Sequence, residues 1–168
     1  MLIDALKEDP SNHWLLTRLG TTYYEQKNYK KALAFSRKAL KTNPNCPIVL
    51  WDLAGALFAL EKFEDAFSIY RSLLSKDPQK LAKGPCGEGI SWTISLLIDC
   101  FFRLGLCFHE MGDDELALKS FLKFLEFRSH WTDGIHSIQD ATEEIAEIHP
   151  TSENIENDIK KATRQLIA

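Results

Sequence analysis

Three prolines, Pro10, Pro44 and Pro78, stand 34 residues apart, and the apolar residues before them recur in the same register. A recurrence on this scale constrains the fold more than any local propensity. Each repeat must be one supersecondary element whose apolar face is covered by its neighbours. Residues 50–78 show what that element is. Leu53, Ala54, Leu57, Leu60, Phe63, Ala66, Phe67, Tyr70, Leu73 and Leu74 recur at the spacing of a helix with one buried face. Glu61 and Lys62 interrupt the run, which predicts two helices joined by a short turn. Asp77-Pro78 ends the pair, since proline lacks the N–H for the next helical hydrogen bond.

The other blocks repeat the pattern. The first has Leu16, Leu19, Gly20, Tyr23, Tyr29, Ala32, Ala39 and Leu40, and the third has Phe101, Leu104, Gly105, Phe108, Ala117, Phe121, Phe124 and Leu125. Gly20, Ala54 and Gly105 fall on the first helix of each pair, and Ala32, Ala66 and Ala117 on the second. Small side chains on both helices let the axes approach, and ridge-into-groove contact sets the crossing. The aromatics Tyr23, Phe108, Tyr70 and Phe121 are expected between pairs. These blocks resemble the tetratricopeptide repeat family, in which W-x2-L-G-x2-Y, then A-x3-F, then P recur every 34 residues. The likeness covers about residues 1–129. It departs at Leu16, Leu50 and Phe101 in the Trp place, at Ser36 in an aromatic place and at Ser129 in place of the third proline. The resemblance implies an all-α fold, a short right-handed superhelical solenoid of antiparallel helix pairs.

The expected layout is a single domain. Residues 1–10 form a half-repeat or cap, 11–44 and 45–78 two repeats, 79–97 an insertion, 98–131 a third repeat and 132–168 capping helices. A start inside a repeat fits equally a cut from a longer array and a native N-terminal cap. Leu53-Ala54 and Leu104-Gly105 are 51 residues apart, one repeat plus 17. Gly84, Pro85, Gly87 and Gly89 make residues 83–89 a loop. Ser91 then caps a helix reaching about Met111, roughly 30 Å long at 1.5 Å per residue. Asp99 and Arg103 are spaced to pair on its face. In the tail, Ile135, Ile138, Ile145 and Ile148 line one face of a helix over 133–148. Pro150 breaks it, and Ser152 caps a last helix.

The totals exclude some functions. Net charge is −4 with the signs mixed, against the clustered basic face of a nucleic-acid binder. Cys46, Cys86, Cys100 and Cys107 form no CxxC and no regular framework, which points to a reducing, cytoplasmic setting. No basic segment followed by an apolar run opens the chain. Residues 90–108 are apolar, but Asp99, Arg103 and Gly105 interrupt them, so membrane insertion is not expected.

In the family it resembles, the first helices line a concave groove for peptides. Carried over by position, the groove offers Trp14, Arg18 and Tyr24, then Trp51, Asp52 and Phe58, then Asp99, Phe102, Arg103 and His109. Members that clamp a C-terminal carboxylate use Lys and Asn there. Here Thr17, Thr21, Asp52 and Asp99 stand beside Arg103 alone, which argues against chaperone-tail binding. The resulting expectation is a non-enzymatic scaffold or adaptor with a protein or peptide partner, no cofactor and no metal ligands. Two alternatives stay open: a chaperone for a secreted or effector protein, and a small-molecule, anion or reactive-thiol site at Cys86, Gly87, Glu88 and Gly89. Cover of the groove by the chain's own insertion or tail also stays open. The oligomeric state is not set by the sequence.

Overall fold

The computed structural model describes residues 2–84, 86, 88–131 and 133–148. The described residues are helical and turn-forming, with no strand among them. The helices are α1 (Leu2–Glu8), α2 (His13–Glu25), α3 (Tyr29–Thr42), α4 (Pro47–Phe58), α5 (Phe63–Leu74), α6 (Pro78–Ala82), α7 (Ile90–Glu110), α8 (Asp114–Arg128) and α9 (Ile138–Ile148). The predicted helix over 152–166 lies outside the described residues. The chain divides into two compact units, Met1–Ile90 and Ser91–Ala168.

Unit 1 contains the pairs α2–α3 and α4–α5. Their small residues meet as the pattern requires. Ala32, Ala54 and Ala66 are fully buried, and a Cβ at Gly20 would lie 3.0 Å from Ser36 Oγ. Ser36 is thus the small partner of Gly20 at the place where the repeat pattern has an aromatic. Asn12 caps α2 by accepting the Leu15 N–H, and Asn28 caps α3 by accepting that of Lys31. The insertion is not all loop. Asp77 accepts the N–H groups of Gln79 and Lys80, and Pro78 takes the first helical position of α6. The dipeptide that ends one helix pair therefore also starts α6, because proline is favourable at a helix's first position.

The turns are built alike. Lys27, Glu61 and Gly112 occupy equivalent places after the first helix of each pair, with φ of 57°, 59° and 81°. Each turn closes with the same two backbone hydrogen bonds: Lys27 N–H to Tyr24 O and Asn28 N–H to Tyr23 O, with counterparts at Glu61–Lys62 and Gly112–Asp113. Only the third uses glycine, the residue suited to the left-handed region.

Unit 2 packs α7, α8 and α9 around Ile98, Phe102, Ala117, Phe121, Phe124, Leu125, Ala141 and Ile145. A Cβ at Gly105 would come within 2.6 Å of the Phe121 ring, so that crossing requires glycine. Phe121 thus packs inside its own pair, against Gly105 and Phe102. α7 is long and apolar enough to cross a membrane by length and composition, but 61% of its most apolar window is buried. The tail helix is shorter than expected. It starts at Ile138, and Ile135 lies in the bend before it with 66% exposure. Its buried face is Ala141 and Ile145.

Candidate functional site

The repeat register sorts the predicted groove residues into three kinds. Tyr24, Phe58 and His109 occupy equivalent positions, and so do Tyr29, Phe63 and Asp114, five residues on. Tyr24 meets Tyr29 edge-on at 5.4 Å, and Phe58 meets Phe63 at 5.2 Å. In the third pair the same clasp is polar, with His109 Nδ1 2.7 Å from Asp114 Oδ1. That hydrogen bond raises the His109 pKa. These three residues fasten hairpins across their turns. Tyr24 also lies over Gly55, whose Cβ would stand 3.4 Å from the ring.

Trp51 and Phe102 form the second kind. Trp51 packs edge-on against Tyr70 at 5.3 Å, and Phe102 against Phe121 at 5.4 Å, in matching geometry. Trp51 is half-buried, whereas Phe102 is buried beneath the His136 ring, stacked at 4.0 Å. Phe102 is therefore core rather than groove surface.

Asp99 is likewise not a groove residue. It is buried, with Oδ1 2.7 Å from Arg128 Nη2, and it accepts the N–H groups of Ile135 at 2.8 Å and His136 at 3.1 Å. The partner expected from sequence was Arg103; the structure supplies Arg128 from α8. Arg128 also donates to the Asp133 carbonyl, tying down the same segment. Burial raises the Asp99 pKa, and the two N–H groups and the guanidinium pull it back. Residues 133–136 thus lie as a strap on α7. Burial also depresses the His136 pKa to about 3, so its ring is neutral. The strap's sequence, Asp-Gly-Ile-His, carries no signal for a carboxylate 36 residues upstream. Cover by the chain itself, left open by the sequence, is what happens here.

The third kind lies in unit 1. Trp14 is 62% exposed on α2, and Arg18, one turn on, is exposed beside it. Asp52 on α4 accepts the Thr21 hydroxyl at 2.7 Å, linking the first helices of both pairs. Burial raises its pKa to about 6; the Thr21 hydrogen bond offsets part of this and the charge of Glu25 adds to it. A half-buried carboxylate with one hydroxyl donor has acceptor capacity left over. Arg103, at the equivalent position of α7, is half-buried.

At the loop, Glu88 and Gly89 are exposed, and Gly87 lies outside the described residues. Cys86 has a partner that the sequence hides. His13, 73 residues earlier, places Nε2 2.9 Å from Cys86 Sγ, and Asn43 Nδ2 donates to the same sulfur at 3.5 Å. With Cys46, the ligand atoms of His13 and Cys86 lie within 4.8 Å of one another.

Models of the tetratricopeptide repeat match residues 24–84 and 99–127. "Tetratricopeptide repeat protein 1" of Schizosaccharomyces pombe is 25% identical over 126 residues. The match takes in 68% of this chain and 11% of that protein, so this chain corresponds to a small part of that relative. Among solved structures, a crystal structure of MamA superposes with a TM-score of 0.66 at 17% identity, covering 99% of this chain and 82% of that one. The N-terminal domain of stress-induced protein-1 (STI-1) from C. elegans gives 0.56 at 18% identity, covering 81% and 93%. Both share the fold. The two repeat models together take in more than half of the 168 residues and fall on the helix pairs, and the chain belongs to the tetratricopeptide repeat family.

Proposed function

We propose that the chain is a protein–protein interaction module, a scaffold or adaptor rather than an enzyme, which takes a peptide or helix segment on the α2–α4 face of unit 1. The observation that carries this is the condition of Asp52. It is half-buried and ionised at neutral pH, and among the described residues it accepts one hydrogen bond. A partly desolvated charge with spare acceptor capacity gains most from a partner that brings N–H groups or a cation. Trp14 and Arg18, on the same side of α2 as Thr21 by helical spacing, supply exposed contact area of the kind that anchors interfaces.

Unit 2 supports the reading by analogy. There a carboxylate on the first helix receives two backbone N–H groups from an extended segment, and an aromatic receives a stacked ring. The ligand suited to unit 1 is a segment with a Lys or Arg, or free backbone N–H groups, next to an apolar side chain. An acidic C-terminal tail does not suit Asp52. Selection of displayed random peptides on the whole chain tests this. Enrichment of basic-apolar motifs, lost on Asp52→Asn and Trp14→Ala, supports it. Enriched motifs indifferent to both substitutions refute it. Trp51→Ala is a poorer probe, since Trp51 packs on the buried Tyr70.

A further inference from the structure

Beyond the end of α6 three donor side chains converge, His13, Cys46 and Cys86. His13 opens α2, Cys46 is the residue before α4, and Cys86 follows α6. All three are in unit 1. Cys46 is 1% exposed and sits with Leu16, Ala39 and Val49 in one apolar cluster, against which Cys86 packs. Two thiols and an imidazole in an apolar setting are a soft donor set.

The imidazole is oriented for ligation. Its Nδ1 lies 3.1 Å from the Ala39 carbonyl oxygen and 3.0 Å from Thr42 Oγ1. The Thr42 hydroxyl donates its own hydrogen to Ala39 O at 2.8 Å. A carbonyl only accepts, so Nδ1 carries the ring proton and Nε2 presents a lone pair to Cys86 Sγ. A ligating histidine commonly has this outer contact, its second nitrogen donating to a backbone carbonyl. Tetrahedral zinc, with Zn–S about 2.3 Å and Zn–N about 2.0–2.1 Å, needs donor separations of roughly 3.5–3.8 Å. The separations here run from 2.9 Å to at most 4.8 Å, which brackets that range.

We propose that His13, Cys46 and Cys86 form a zinc site, with the fourth position taken by water. Charge decides the metal. Zn2+ with two thiolates and a neutral imidazole is a neutral assembly, the form an apolar pocket tolerates best. Binding displaces one proton from each thiol to the buffer, and two Zn–S bonds form with no change of oxidation state. Because binding releases these protons, affinity rises with pH. The three ligands join the starts of α2 and α4 to Cys86, four residues past the end of α6.

The test uses the full chain, fully reduced, with Zn2+ titrated against a chromophoric chelator. Co2+ serves as the optical probe for thiolate-to-metal charge transfer. One zinc per chain is expected, with a higher unfolding midpoint on loading. Cys86→Ser and His13→Gln each weaken binding by roughly 100-fold or more, a loss at the upper end of that seen for outer contacts of metal ligands. Cys46→Ser alters a buried residue, so Cys86→Ser and His13→Gln, with helicity checked by circular dichroism, carry the conclusion. Cys100→Ser and Cys107→Ser in unit 2 leave binding unchanged. Absent or substoichiometric zinc overturns the site, as does binding indifferent to His13→Gln and Cys86→Ser. A Cys46–Cys86 disulfide forming in air, with no zinc bound under reduction, also overturns it.

Discussion

Asp52 on α4 and Asp99 on α7 are both acids on the first helix of a pair, and they have opposite circumstances. Asp99 has Arg128 and two backbone N–H groups from the strap that crosses it. Asp52 has the Thr21 hydroxyl. Burial raises both pKa values; at Asp52 one hydroxyl donor offsets part of the rise, and at Asp99 two backbone N–H groups and a guanidinium do. The two acids stand one turn apart in the repeat register, Asp99 at the place of Ile48 and Asp52 at that of Arg103, and Asp99 has the fuller set of donors. The fold can therefore use its first-helix face in two ways, and neighbouring donors decide which.

The contrast is sharpest when each acid is removed. Asp99→Ala leaves Arg128 buried without its carboxylate, a change costing about 3–5 kcal/mol. It should also release the strap, read as faster amide exchange at Ile135 and His136. Asp52→Asn at pH 7 goes the other way. Its pKa of about 6 implies a gain of roughly 1–3 kcal/mol when the charge is removed. Urea unfolding of the two variants checks both signs, and equal losses would remove the distinction.

Acidification sets the units against each other. His136 binds its proton less tightly folded than unfolded, so its contribution is full above about pH 6.5 and is lost as pH falls toward about 3. Asp52 binds its proton more tightly folded, so its contribution is full below the ordinary Asp range and is lost as pH rises through about 6. Between pH 6.5 and 4, amide protection factors at Ile135 and His136, referred to the intrinsic exchange rate at each pH, should fall by a free-energy loss on the order of 2 kcal/mol. Over the same range the protection factors of α2 and α4 amides should rise. Parallel changes would contradict the assignment.

Two smaller effects probe the repeat frame itself. Ala66 is fully buried, so Ala66→Leu overpacks its crossing and costs about 1–3 kcal/mol. Asn28 and Asp113 cap their helices, but the equivalent Lys62 makes no side-chain cap hydrogen bond. Lys62→Asp should therefore add about 1 kcal/mol. Thermal unfolding reads both, and no change at Lys62 would mean the repeats are not equivalent there.

The helix pairs were legible because their causes are periodic and local. Gly20, Ala54 and Gly105 mark the crossings, and the turn predicted at Glu61–Lys62 is where the structure has it. What escaped depends on partners distant in the chain. Asp99 was matched with Arg103 because four residues suggest a helical pair, whereas its partners come from α8 and the strap. Tyr24, Phe58 and His109 looked like groove residues because they fall on the outward face, yet each clasps the residue five positions later. His13 and Cys86 lie 73 residues apart, beyond the reach of any spacing rule. The α6 start at Asp77-Pro78 was readable in hindsight, since a terminator and an N-cap share the same two residues.

The proposed role of Asp52, a carboxylate held at a cost for the sake of a ligand, is tested most directly by calorimetric titration, at pH 7, of the best peptide selected on the wild-type chain into the wild type and Asp52→Asn. At least a tenfold loss of affinity, about 1.4 kcal/mol, is expected in the variant. Equal affinity for both proteins would contradict it.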